Sequence, residues 1–170
     1  MRKLLRQLIR TETTAQKGEL EAAEIISDQF RRWGIKSQID SWDGDRANIL
    51  ARIKSSGHKP ALLFACHLDV VGPGQANWNN PPFAGIEKEG KIYGRGSVDM
   101  KGGIVAIITA IHQIVDSGVK LKGDIIFLGC AGEETDSCGV KRFISQCFNK
   151  LPPLAGVIIA EPTNFEIVVA

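Results

Sequence analysis

Apolar positions along the chain follow two rhythms. Leu20, Ala23, Ile26, Phe30 and Trp33 recur at steps of three and four residues, which predicts a helix from about Gly18 to Trp33 that stops at Gly34. A second stripe, Ile104, Ile107, Ile108, Ile111 and Val115, predicts a helix within "GGIVAIITAIHQIVDSG". Residues 2–10 and the stretch "CGVKRFISQCF" read as two further helices. Between them lie strand-length runs: "GIKSQI" and "ANILARI", split by the turn-rich "DSWDGD", then "ALLFACH", "GDIIFLGCA" and "LAGVIIAEP". The last three are apolar on both faces, as strands buried under two covering layers are. "VGPGQANWNNPPF" is loop by its Gly, Pro and Asn content, and "GIEKEGKIYG" predicts a short hairpin turning near Glu89-Gly90.

Strands that alternate with helices predict an α/β fold of three layers, with helices on both faces of a mixed, largely parallel central sheet. The 170 residues are enough for one domain, and no internal repeat or low-complexity linker divides them. The closing "NFEIVVA" reads as an apolar strand in which the chain stops, so the expectation is that residues 1–170 are the first part of something longer.

Composition narrows the function classes. With 44% apolar and 24% charged residues the chain has the make-up of an ordinary globular protein. Its net charge of +2 is scattered rather than gathered, and aromatics are sparse, which argues against nucleic acid or a membrane surface as partner. The start, "MRKLLRQLIRTETT", is basic and apolar, but Arg6 and Gln7 break the run and no small-residue cleavage site follows, so it reads as an amphipathic helix. Cys66, Cys130, Cys138 and Cys147 form no C-x-x-C pair, and reduced thiols in a cytoplasmic protein are the expectation.

Chemistry gathers where the apolar runs end. "ALLFAC" ends in His67 with Asp69 two residues on, "DIIFLGCAG" ends in Glu133-Glu134, and "AGVIIA" ends in Glu161. Asp99 sits in the Gly-rich "YGRGSVDMKGG" just before a helix. Open α/β sheets bind ligands at the carboxyl ends of their strands, so one histidine and several acids converge on one edge. Acids at that density repel unless a cation neutralises them, and imidazole with carboxylate but no thiolate suits zinc, manganese or cobalt. The position of Asp69 suits a role behind His67, holding the ring N–H that does not face the ion.

Taken in order, "HLDVVGPG", "YGRGSVDMKGG", "AGEET" and "AEPT" resemble the motifs of the M20 co-catalytic metallopeptidases, and within them the acetylornithine deacetylase and succinyl-diaminopimelate desuccinylase group. The resemblance runs from about residue 4 to the end of the chain. It implies a zinc-exopeptidase-like fold and hydrolysis of the amide bond of small N-acylated amino acids or dipeptides. It also implies one or two Zn2+ ions, with Co2+ or Mn2+ possible. By this resemblance His67 and Glu161 bind one ion, Asp99 bridges two, Glu134 binds the second, Glu133 is the general base and Asp69 orients His67. A cis peptide between Asp99 and Met100 is implied too.

Two parts of the family pattern fall outside these residues. The second ion's site calls for a histidine downstream of Glu134, whereas the histidines here are His67, His58 in the exposed turn "SSGHKP", and His112, which falls beside the apolar stripe of its helix and reads as a surface residue. The family also carries a lid or dimerisation domain, absent here, which would be supplied only by a full-length protein. The competing reading is a non-catalytic metal-binding remnant or regulatory half of the same fold. A phosphate-binding reading of "GRGSVDMKGG" fails, because no Ser or Thr follows Lys101 and the glycine spacing does not match a dinucleotide loop. Taken singly, each acid has an ordinary explanation: Asp99 as a helix N-cap, Glu133 and Glu134 as solvated loop residues.

Overall fold

The computed structural model describes every residue except Phe165 and Ala170. Helix α1 (Arg2–Arg10) is followed by α2 (Leu20–Arg32), β1 (Ser37–Trp42), β2 (Arg46–Ile53) and β3 (Lys59–His67). A hairpin of β4 (Ile86–Lys88) and β5 (Lys91–Tyr93) precedes α3 (Lys101–Asp116), β6 (Gly123–Cys130), α4 (Cys138–Gln146) and β7 (Leu154–Ile159). Five strands form one sheet in the order β1-β2-β6-β3-β7. It is mixed: β3 runs parallel to both β6 and β7, while β2 is antiparallel to β1 and to β6.

Alternation along β6 explains the three layers. Ile125 and Phe127 point to one face, where they meet residues of α1, α2 and α3 such as Leu8, Phe30 and Ile108. Ile126, Leu128 and Cys130 point to the other face and pack against Phe143 of α4. Phe30 and Phe127 meet edge to face with ring centroids 5.3 Å apart. Helix α1 is amphipathic and buries Leu4, Leu8 and Ile9. Among the described residues no helix is long and apolar enough to cross a membrane.

Three expectations change. The run "LAGVIIA" forms a strand, yet β7 is exposed rather than buried: Val157, Ile158 and Ile159 are 51%, 45% and 59% exposed. Its sole ladder partner among the described residues is β3, so one edge and much of its surface stay uncovered. Residues 166–169 of "NFEIVVA" form no strand, because no described strand forms a ladder with them, and Phe165 and Ala170 lie outside the described residues. His112 is half-buried rather than on the surface, its ring stacked on Trp33 at 4.2 Å with planes 4° apart.

A buried ion pair joins α2 to the sheet. Glu19, just before α2, is fully buried, and its Oε2 lies 3.1 Å from Arg46 Nε on β2. Burial pushes the Glu19 carboxyl from its ordinary 4.5 up to about 7, although Arg46 pulls the other way. Between those values the folded chain keeps a proton that the unfolded chain has released, so stability falls as pH rises across that window. For a shift of this size the loss is at most about 3 kcal/mol. Urea midpoints are expected to drop on going from about pH 5 to about pH 7.5, and to drop much less in Glu19→Gln. An equal drop in both proteins would rule out Glu19 as the source.

Candidate metal centre

Parallel register brings three strand ends together. His67, the last residue of β3, is paired with Cys130, the last residue of β6. On the opposite side Ala65 is paired with Ile159, the last residue of β7. The loop that carries Glu133 and Glu134 and the segment that carries Glu161 therefore both leave the sheet beside His67. Asp99 arrives separately, two residues before α3, and the peptide bond between Asp99 and Met100 is cis. The residue at the N-cap of α3 is Met100, with no side-chain cap, so Asp99 is not a capping residue. Met100 is buried beneath the cluster, where its sulfur accepts the His67 backbone N–H at 3.2 Å.

The structure gathers His67, Asp99 and Glu161 most tightly. His67 Nε2 lies 3.0 Å from Asp99 Oδ1 and 3.6 Å from Glu161 Oε1, and the three donor atoms all fall within 4.8 Å of one another. A tetrahedral ion with bonds of about 2.1 Å sets its ligand atoms about 3.4 Å apart. One nitrogen and two carboxylate oxygens at this spacing fit a divalent cation that accepts mixed ligands. Glu133 and Glu134 stand outside this trio but within its electrostatic reach.

Residue 69 controls the imidazole and the acidic loop at once. Its backbone carbonyl lies 2.9 Å from His67 Nδ1, while its carboxylate is 3.6 Å from the same nitrogen. A carbonyl can only accept, so Nδ1 carries the proton and Nε2 is the nitrogen turned to Asp99 and Glu161. The Asp69 carboxylate meanwhile accepts the backbone N–H groups of Glu133 at 3.1 Å and Glu134 at 3.0 Å. The sequence expectation of a carboxylate holding the ring N–H thus meets a different division of labour: the main chain of residue 69 takes the ring, and its side chain takes the loop.

Charge accumulates accordingly. Burial disfavours a charged His67, yet Asp69, Asp99 and Glu161 together raise it from 6.5 to about 9. Burial and the neighbouring acids, Asp99 first, push the Glu134 carboxyl above its usual range. Glu161 is pushed up by burial and by Asp99, Glu133 and Glu134, against the pull of His67. For Asp69 burial acts upward, but the neighbouring His67 ring and the two loop amides hold the carboxyl below its usual value. Two carboxyl groups raised by burial and by the acids around them, Glu134 and Glu161, mark a site suited to a cation.

Several supporting residues gave no signal in the sequence. Lys101, the first residue of α3, is buried. Its Nζ donates to the carbonyls of Leu8 at 2.9 Å and Thr11 at 2.8 Å, binding the end of α1 to the segment that carries Asp99, and burial brings its pKa down to about 8. Thr13 clasps the strand end beside Asp69: its Oγ1 donates to the Leu68 carbonyl at 2.8 Å, and its own carbonyl accepts the Val70 N–H at 3.0 Å. Cys66 and Cys130 are buried free thiols whose pKa values burial pushes up, which makes them packing groups. Trp78 lines an open cleft of about 600 Å³ together with Asn80, Tyr93 and Val98, next in sequence to Asp99. His58 is exposed, away from the cluster.

Known proteins resemble this chain in sequence and in fold. Residues 63–170 match the model of peptidase family M20/M25/M40. The chain is 38% identical over 152 residues to a probable succinyl-diaminopimelate desuccinylase of Staphylococcus aureus strain Mu50, covering 89% of this chain and 37% of that protein. A protein of the same description from Staphylococcus epidermidis is 34% identical over 163 residues, covering 95% of this chain and 39% of that one. The chain thus spans well under half the length of these curated relatives. The crystal structure of an M20 family metallo-carboxypeptidase from Sulfolobus solfataricus superposes with a TM-score of 0.80 at 24% identity, over 92% of this chain and 36% of that one, and shares the fold. The matched region holds the ends of all three parallel strands and every acid of the cluster, and on that ground the chain belongs to the peptidase family M20/M25/M40.

Proposed function

We propose that this chain is the metal-binding catalytic portion of an amidohydrolase that cleaves the amide bond of small N-acyl amino acids or dipeptides. The acetylornithine deacetylase and succinyl-diaminopimelate desuccinylase group supplies the nearest chemistry. In this reading residues 1–170 form a single catalytic-type domain, completed in the whole protein by a lid domain and a further catalytic segment. The observation that carries it is the convergence of His67, Asp99 and Glu161 at one sheet edge, with Glu133 and Glu134 beside them.

His67, Asp99 and Glu161 would hold one Zn2+, and Asp99 with Glu134 would face a second. Bound there, such ions supply a Lewis acid for the carbonyl and lower the pKa of water towards about 7. The chain's own residues do the rest. The Asp69 carbonyl fixes Nδ1–H of His67, so that the ring offers Nε2 to the site. The Asp69 carboxylate anchors the backbone at residues 133 and 134 and thereby aims both glutamates. Glu133 takes a proton from the water that adds to the amide carbon and delivers it to the nitrogen as the C–N bond breaks, leaving a carboxylate and a free amine.

The test is release of free amine from N-succinyl and N-acetyl amino acids by the whole protein, loaded with Zn2+ or Co2+. Turnover should vanish with a chelator. In Glu133→Gln it should fall by about 100-fold or more while ion binding persists. Tight ion binding without any hydrolysis would favour a non-catalytic metal-binding role. Failure to bind ions at all would end the proposal.

A further inference from the structure

The loop that carries Glu133 and Glu134 is closed into a ring. Gly139 N–H donates to the Ala131 carbonyl at 3.0 Å, so the end of β6 and the start of α4 meet at its base. Asn48 of β2 spans the same two points. Its Oδ1 accepts the Ala131 N–H at 3.0 Å, and its Nδ2 donates to the Gly139 carbonyl at 2.8 Å. The side chain is buried, and both ends of its amide are used. No side chain fits at Gly139, because a Cβ there would run into Ala131 and the Asn48 amide.

Two residues earlier on β2, Arg46 reaches the body of the ring. Its Nη2 donates to Cys138 Sγ at 3.0 Å and occupies the space that a side chain on Gly132 would need. Glu19, fully buried, lies 3.1 Å from Nε of the same guanidinium. Gly132 has φ +68° and its carbonyl accepts the Ser137 N–H at 2.7 Å, so the ring turns tightly around the filled space. Asp69 holds the opposite side through the Glu133 and Glu134 amides.

We infer that Asn48 and Arg46 are positioning residues for the Glu133–Glu134 pair: β2 supplies the rear support of the loop, as Asp69 supplies the front. Neither residue belongs to the cluster of His67, Asp99 and Glu161. The inference rests on the proposed function for its consequence, since a displaced Glu133 or Glu134 matters only where those carboxylates act. The placement of the loop can be measured without any assay of turnover.

Asn48→Ala and the isosteric Asn48→Asp, compared with the unaltered chain, supply the test by amide hydrogen exchange and Co2+ titration. Exchange at the Glu133 and Glu134 amides is expected to quicken by about tenfold or more in both variants, since alanine removes both buried hydrogen bonds of Asn48 and aspartate the one to the Gly139 carbonyl. Exchange at Leu63 and Phe127 in the central ladder should stay within about twofold. Arg46→Lys keeps the charge opposite Glu19 but loses the reach to Cys138, and should quicken the same loop amides. Co2+ should still bind the His67 cluster with affinity within about threefold in every variant, since its ligands come from other segments. Unchanged exchange at residues 133 and 134, or an equal acceleration of all amides, overturns the inference. If the unaltered chain binds no Co2+, the proposed function falls while the exchange comparison still decides the role of Asn48.

Discussion

Replacing His67 by alanine will lower the affinity of this protein for Zn2+ or Co2+ by more than about 100-fold, beyond the loss typical of a supporting residue. His67 is the one nitrogen donor of the cluster and is almost fully buried, while its partners Asp99 and Glu161 are 49% and 37% exposed. Without it, two half-solvated carboxylates remain, and exposed pairs of acids hold transition metals weakly. The ring is also pre-set: the Asp69 carbonyl fixes Nδ1–H, so no reorientation opposes binding through Nε2. Alanine removes both the donor and that preorganisation. Competition against a chromophoric chelator gives the affinity directly. An affinity within threefold of the unaltered protein would mean that ions bind elsewhere, and the assignment of the site would be lost.

Asp69→Ala will combine a large loss of stability, about 3–5 kcal/mol, with a loss of metal affinity of about 10- to 100-fold. Asp69 is 2% exposed, and its carboxylate accepts two loop amides while lying 3.6 Å from the ring nitrogen. Removing it strands the N–H groups of Glu133 and Glu134 and takes a negative charge from beside His67. A buried donor left without a partner costs more than the bond itself contributed. Asp69→Asn keeps the shape but turns an NH2 group towards one of the two N–H donors, so it should fall between alanine and the unaltered protein. Chemical denaturation gives the stability and the same chelator competition gives the affinity. A variant that loses affinity but no stability would show that the loop amides find other partners and that the carboxylate acts through His67 alone.

Much of the architecture can be read from periodicity alone. A stripe every three or four residues marks α2 and α3, and solid apolar runs mark β3 and β6, because each rhythm matches the way its element presents side chains to a core. The same rhythm misleads at β7. Val157, Ile158 and Ile159 have the composition of a covered strand, but cover depends on what packs against the strand, which lies outside its own residues. His112 shows the opposite case: beside an apolar stripe it reads as a surface group, and its partial burial follows from Trp33, the residue that caps the end of α2.

The site divides along the same line. Residue types at the ends of apolar runs suffice to single out His67, Asp69, Asp99, Glu133, Glu134 and Glu161, since a donor set of one imidazole and several acids is a chemical signal carried by composition and order. Which three meet most closely, which oxygen of residue 69 faces the ring, and that Lys101 and Asn48 are buried and Arg46 largely so are settled by strand register and by contacts between segments as many as 93 residues apart. A lysine, an arginine and an asparagine look like solvent-facing residues in any local window. Their burial is a property of the packed whole, because what satisfies a polar side chain inside a protein is a backbone group contributed by some other part of the chain.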